Sequence, residues 1–579
     1  MHNINWKIGG VGGMGAMGVG LLFSKTLFRA GYYICDYDEY NSIIKGGHNT
    51  YQVRASSEKV SCISKQLNLL LSLDTYSLKY VDALSSDGYV ICDWAQVKNK
   101  ELYNNSLIID VPFSLINKNN GGDEIMKNII GLGASIAFLG IDINITKALI
   151  AEQFSKKGKE IIEKNNLLLS KGYDYILEKY PEQINKFTNQ NGIFTTIPIK
   201  DNIYILNGNE SICLASIKSG LGYYAAYPMT PSSSILHFLA KLASKYNIIV
   251  KHAEDEISAI NSAIGASYGG ARAMVGTSGG GFSLMVEALG MAAMTEIPLV
   301  IAMISRPGPS TGMPTWTDQS DLRFVIHASQ GEFIKLVFTP GDIEEAYELT
   351  LLAFKLSEKY HIPIIILSDK FLAEGTWSSL LNTEVIDNSS RAGFLSSTAL
   401  LRIEKFERYI DTTSGISPRS IPGMQKGEYL ANSDEHDFYG YSDESKEMRD
   451  IQMTKRISKK LIRLTKELPE HVIMGDLSSS FGVITFGSMK NQMLEVLKEN
   501  KKIKYISLKY INPFPIDIIN EFLNSCNKFI VIENNYSAQL AGLITQHTGK
   551  FPYKTLLKDD GRPIYYEDIL TFLNEYGNF

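Results

Sequence analysis

Short β-branched runs without polar alternation recur through the middle of this 579-residue chain, and they restrict its folding options more than any other feature. IIVKHA, ARAMVGTS, PLVIAMIS and PIIILSD lie between residues 248 and 369, with helical stretches between them. Such strands are apolar on both faces, so each face must be covered, and a parallel sheet flanked by helices does that. The same alternation begins at the N-terminus, with a strand-like Ile4–Ile8, the turn GGVGGMGAMGVG and a helical run from Leu21 to Ala30. YYICDY, GYVICD and SLIIDV continue it, and a lysine-rich stretch from about 155 to 200 reads as solvated helix followed by linker. VITFGS, KYISLKYINPFP and KFIVIENNYSAQL predict a smaller α/β unit at the C-terminal end. The expected fold class is therefore multidomain α/β, with units at 1–190, 200–380 and 466–579 and a polar connector at 381–465.

A chain that is 44% hydrophobic and 21% charged can bury a core in each unit, which excludes disorder. With a net charge of −5 and no long run of like charge, nothing favours nucleic acid or an anionic membrane as partner. The five cysteines, at 35, 62, 92, 213 and 526, have no metal-ligand spacing and read as buried thiols. No apolar run reaches the roughly 20 residues of a membrane span, and no basic-then-apolar leader opens the sequence. A reduced cytoplasm is the expected location.

Gly10-x-Gly12-x-x-Gly15 has the spacing of a dinucleotide fingerprint, with Asp36 and Asp38 about 20 residues on. Seven glycines in twelve residues make a chance match easy, so phosphate or pantetheine contact at the helix start and simple close packing stay open beside it. Glu39-Tyr40 and Lys45-Gly46-Gly47-His48-Asn49 form a polar glycine loop in the same segment.

The central unit is more specific. Tyr227-Pro228-Met229-Thr230-Pro231-Ser232-Ser233 holds a threonine between two prolines, just after a strand. Glu254-Asp255-Glu256 stands where a strand meets a helix, and Thr277-Ser278-Gly279 follows the next strand. Ser305-Arg306-Pro307-Gly308-Pro309-Ser310-Thr311-Gly312-Met313-Pro314-Thr315 is a stiff loop built around one arginine, whose fork suits a carboxylate. Capping accounts for some of these residues singly. Convergence of a threonine, a glutamate and an arginine on one sheet edge points to a ligand site.

These motifs resemble the alpha subunits of 2-oxoacid:ferredoxin oxidoreductases, in the form with a gamma domain fused in front. GGVGGMG and EYNSIIKGGHN resemble the gamma domain, while YPMTPSS, EDE, GTSGGGFSLMVEA, EIPLV and RPGPSTGMPT resemble the pyrimidine-binding thiamine diphosphate domain. IPGMQKGEY, DEHDFYG and the pair at 455–456 resemble the connector; VITFGSM, INPFP and IENNYSAQL resemble the transketolase C-terminal-like domain. Met14 and Met229 depart from the usual glutamine and isoleucine.

The resemblance implies oxidative decarboxylation of a 2-oxoacid with coenzyme A, most often 2-oxoglutarate to succinyl-CoA in the fused layout, with pyruvate or a broad range as the alternative. It implies a glutamate that hydrogen-bonds the thiamine diphosphate pyrimidine. Glu256, nine residues before Gly265, fits that role, and Glu254 is the runner-up. Thr230 and Arg306 match positions that face the substrate keto and carboxylate groups, with Ser310, Thr311 and Thr315 beside them. Tyr227, Pro228, Thr277, Ser278 and Gly279 match cofactor-binding positions, while Gly13, Gly15 and Lys45 to Asn49 match the coenzyme A side. Lys45, His48 and Arg323 are candidates for a distal carboxylate. The chain lacks both the GDG-to-Asn magnesium motif and four clustered cysteines. A beta subunit is therefore expected to supply the diphosphate and Mg2+ site and a [4Fe-4S] cluster, with ferredoxin as acceptor. A transketolase-like enzyme, a nicotinamide-dependent dehydrogenase and a non-catalytic scaffold are the rival readings.

Overall fold

The structure is a computed structural model that describes residues 3–42, 46–103, 107–198, 202–382 and 391–576. Three sheets organise these residues. The first has eight strands in the order 107–110, 84–92, 67–72, 3–11, 48–56, 33–39, 376–380, 203–207. Its first four strands are parallel neighbours, and the remaining pairings are antiparallel. Strands Ile203–Asn207 and Thr376–Leu380 are far from this unit in sequence, and together they extend its edge.

The second sheet is the one foreshadowed by the β-branched runs. Its order is 510–512, 336–338, 363–369, 299–305, 272–277, 221–226, 249–252, parallel except for the first strand. Strands Leu299–Ser305 and Pro363–Asp369 are buried at every residue, as a sheet covered on both faces requires. The four strands at 249–252, 221–226, 272–277 and 299–305 are consecutive neighbours, so their carboxyl ends share one edge. The third sheet, 473–475, 504–508, 481–486, 528–533 and 554–557, shares a hydrophobic core with the second.

Two family-like motifs turn out to join these units. Glu533 of IENNYSAQL is fully buried and accepts hydrogen bonds from the Leu540 and Ala541 amides at 2.8 and 3.1 Å, holding the start of helix Gln539–Thr548. Its neighbour Asn534 exchanges hydrogen bonds with Gln319 beneath the second sheet. Glu296 of EIPLV is likewise buried and meets Lys455 and Lys460 of the connector at 2.7 and 2.6 Å. Burial pushes the Lys455 ammonium down to about 8, although Glu296 opposes this. Two lysines around one carboxylate fasten the connector to the sheet; removing the carboxylate would strand both cations.

Candidate active site

The shared strand edge carries the candidate residues. After strand Leu221–Ala226 the chain turns through Tyr227 and Pro228, and the Met229 sulfur accepts a hydrogen bond from the Gly281 amide at 3.2 Å. After strand Ile249–His252, Asp255 caps helix Glu256–Tyr268 by accepting the Ser258 amide at 2.7 Å. That cap turns Glu256, the first choice from the sequence, inward, while Glu254, the runner-up, stays exposed. Glu256 is 3% exposed, and its Oε1 has no hydrogen-bond partner among the described residues.

Gly281 packs directly against that carboxylate. A methyl built at Gly281 would collide with Thr277 Oγ1 and come within 2.5 Å of Glu256 Oε1. Thr277 and Ser278 are buried where strand Arg272–Thr277 enters helix Gly279–Met294, and Ser278 Oγ is also unpartnered. Arg306 follows strand Leu299–Ser305 and donates from Nη1 to the Thr230 carbonyl at 2.6 Å, and its Nε has no acceptor among the described residues. Burial pulls its guanidinium below its ordinary value, opposed by Asp321, and Asp321 is in turn held by Ser305 Oγ at 2.7 Å. The threonine, glutamate and arginine thus lie at one sheet edge, where Glu256 Oε1, Ser278 Oγ and Arg306 Nε have no partner among the described residues.

The Arg306 loop spreads its hydroxyls differently. Ser310 and Thr311 are exposed, with Ser310 at φ 56°, whereas Thr315 is buried and donates to the Tyr40 carbonyl at 2.6 Å. Arg323 sits two residues after Asp321, in helix Leu322–His327, and packs its guanidinium against Gly542 of the third unit. Lys45 lies outside the described residues.

The glycine-loop side forms a separate cleft of about 800 Å³. Gly46 and Gly47 take positive φ, and the Gly12 amide donates to Gly47 O at 3.0 Å, joining the two glycine segments. Gly13, at φ 102°, has nothing within 4 Å of where a Cβ would stand; Gly15, at φ 74°, is crowded by Asn128. His48 lines the cleft and pairs with Ser77 Oγ at 2.9 Å; burial, partly offset by Asp74, keeps its imidazole below the ordinary value. Asn49 adjoins, near Tyr40.

Sequence reasoning missed most of this cleft's charge. Lys7, Lys65, Lys79, Lys558 and Arg562 line it against the single acid Glu39, together with Tyr76, Tyr80 and Trp316. These residues come from three distant segments, and the Arg562 guanidinium stacked 4.5 Å over Trp316 joins two of them. No local pattern carries that signal. Asp36 and Asp38, by contrast, are unavailable to a ribose. Asp36 is buried against Ser24 Oγ and the Thr376 amide, and Asp38 is engaged by Lys370. The dinucleotide reading therefore loses its acidic partner.

An α/β chain with a buried carboxylate, a threonine and an arginine at one parallel-strand edge, beside a cationic cleft, has the layout of a cofactor-dependent oxidoreductase subunit. Residues 215–455 match the family described as pyruvate flavodoxin/ferredoxin oxidoreductase, thiamine diphosphate-binding, and residues 5–175 match pyruvate ferredoxin/flavodoxin oxidoreductase. The chain is 32% identical to the 2-oxoacid:ferredoxin oxidoreductase subunit alpha of a Sulfolobus species, covering 98% of this chain and 96% of that one. It is 31% identical to the 2-oxoglutarate synthase subunit KorA of Methanocaldococcus jannaschii, over 58% and 88% of the two chains. The 2-oxoglutarate:ferredoxin oxidoreductase from Magnetococcus marinus, solved with 2-oxoglutarate, coenzyme A and succinyl-CoA bound, superposes with a TM-score of 0.87 at 27% identity over 99% of both chains. The chain belongs to the 2-oxoacid:ferredoxin oxidoreductase family, as an alpha subunit with the gamma-type unit at its N-terminus. The buried Glu256 oxygen, with no partner among the described residues, suits the aminopyrimidine of thiamine diphosphate.

Proposed function

We propose that this chain oxidises 2-oxoglutarate with coenzyme A to succinyl-CoA and CO2, delivering two electrons to ferredoxin, in complex with a beta subunit. That partner supplies the diphosphate and Mg2+ site and a [4Fe-4S] cluster. Among the described residues of this chain, no group of three or more His, Cys, Asp or Glu could hold a metal. The observation that carries the reading is the Glu256 carboxylate, buried and unpartnered at the strand edge shared with Thr230 and Arg306. Exposed Tyr227, Ile257 and Leu284 rim this edge and suit burial by the partner. Units at 1–190, 200–380 and 466–579, with the connector between the last two, are part of the same proposal.

Bound thiamine diphosphate would supply the carbanion that attacks the keto carbon and the electron sink for decarboxylation. Glu256 holds and returns a proton at the pyrimidine nitrogen, in a site where a carboxylate gains little from water. Thr230 orients the keto oxygen. The free edge of the Arg306 guanidinium takes the 1-carboxylate, and its bond to Thr230 O fixes both residues in one geometry. The cationic cleft receives the phosphates of coenzyme A, with Trp316, Tyr76 and Tyr80 offering faces to its adenine. Gly13, Gly15 and the 46–49 loop border the same acceptor side.

Likeness over almost the full length to a 2-oxoglutarate-bound structure, and over 58% of the chain to a 2-oxoglutarate synthase subunit, supports 2-oxoglutarate over pyruvate. Anaerobic viologen reduction by the assembled complex tests this, with 2-oxoglutarate and pyruvate supplied separately alongside coenzyme A. Reduction with pyruvate alone overturns the substrate, and no reduction with either overturns the function.

A further inference from the structure

One residue lies between the two ligand sites and touches the supports of both. Tyr40 follows strand Tyr33–Glu39, and the next residue, Asn41, donates from Nδ2 to the carbonyl of His48 on the cationic cleft at 3.1 Å. Its carbonyl accepts Thr315 Oγ1 at 2.6 Å, at the far end of the loop that begins with Arg306. The residue after Thr315 is Trp316, which lines the cleft beneath Arg562. The two loops are therefore tied to each other at a point between Arg306 and the cleft.

The tie is clamped from the central unit. The Tyr40 hydroxyl donates to the Glu374 carboxylate at 3.1 and 3.3 Å, at the end of the short helix Lys370–Glu374 that follows strand Pro363–Asp369. Lys370 is fully buried, donates to Asp38 Oδ1 at 2.8 Å, and stands 3.6 Å from Glu374. Its ammonium also lies over the rings of Tyr37 and Tyr40, at 4.2 and 5.2 Å. Asp38 and Tyr40 come from the first unit, Lys370 and Glu374 from the second. Buried groups joined in one polar network shift together, because moving one leaves its partner unpaired.

We infer that Tyr40, clamped by Glu374, is a positioning residue that couples occupancy of the cationic cleft to the placement of the Arg306 loop. A ligand that shifts Gly47 and His48 pulls on Asn41, whose side-chain amide donates to the His48 carbonyl at 3.1 Å, and through Tyr40 and Thr315 on the loop that carries Arg306. The inference rests on the reading of the cleft as the coenzyme A site. Coupling of this kind is a free energy shared equally by both ligands, so it can be read from either side.

The experiment uses the assembled complex and two probes, coenzyme A and the 2-hydroxy analogue of the 2-oxoacid, which offers the same carboxylate and cannot be decarboxylated. Calorimetry gives the coenzyme A Kd with and without saturating analogue. The expected change in the unaltered protein is about fivefold or more, the lower end of typical couplings. In Tyr40→Phe and Glu374→Ala the ratio should fall to near one while each ligand alone still binds. Glu374→Gln keeps an acceptor for the Tyr40 hydroxyl and should restore the ratio, which a purely structural role would not produce. A ratio near one in the unaltered protein, or a full ratio in Tyr40→Phe, overturns the inference. Failure of coenzyme A to bind the unaltered complex at all would instead overturn the function it rests on.

Discussion

Replacing Glu256 by glutamine should separate activity from stability in opposite directions. The side chain is 3% exposed and its Oε1 is unpartnered, so the free protein bears the desolvation of a buried polar atom without compensation. An unsatisfied buried group of this kind costs about 1–3 kcal/mol. Glutamine has the same shape and a smaller solvation demand, so Glu256→Gln should leave the cofactor-free complex as stable or more so, by about 1–2 kcal/mol. Catalysis should move the other way. An amide cannot take up and return the proton, and loss of a positioned acid–base group typically costs about 100- to 10,000-fold in rate. The assay pairs chemical denaturation of the cofactor-free complex with anaerobic viologen reduction by the loaded one, and uses Glu254→Gln, altered at an exposed carboxylate, as the control. Turnover of Glu256→Gln within tenfold of the unaltered enzyme would refute the assignment. Loss of turnover in the Glu254 variant alone would move the role to that residue. A large loss of stability would refute the argument that the buried carboxylate is strained in the free protein.

Three further outcomes are expected. Arg306→Lys should raise the 2-oxoacid KM by about tenfold or more with a smaller change in kcat, because one ammonium cannot both hold the Thr230 carbonyl and form the fork; initial rates against substrate concentration check this. Arg562→Gln should weaken coenzyme A binding and flatten its salt dependence, measured by calorimetry at two ionic strengths, since Arg562 contributes charge to the cleft from the third unit. Asp36 is fully buried, and burial pushes its carboxyl up to about 7 from 3.8, despite hydrogen bonds that oppose the shift. The folded state therefore binds the proton more tightly than the unfolded chain, and this residue's contribution to stability declines as pH rises from about 4 to 7. Asp36→Asn should remove that decline and gain about 2–4 kcal/mol over the unaltered protein at pH 8 but little at pH 4, as followed by denaturant titration.

Much of the fold and part of the site were legible in the linear chain because they depend on local chemistry. Unalternating runs such as PLVIAMIS and PIIILSD require a sheet covered on both faces, and both strands are buried throughout. A strand followed by YPMTPSS, EDE or SRPGPST puts its polar residues at a carboxyl end wherever the strands pair in parallel. What no local pattern contains is which strands become neighbours and which way a side chain turns. The order 299–305, 272–277, 221–226, 249–252 brings Arg306, Thr230 and Glu256 to one edge, and the Asp255 cap buries Glu256 while exposing Glu254. The cationic cleft draws on residues 7, 65, 79, 558 and 562, and the clamp on Tyr40 draws on 370 and 374, so each exists only after distant segments have packed. Periodicity and turn chemistry act over a few residues and are written in order along the chain. Burial, pairing and charge convergence act through space, and tertiary structure alone decides them.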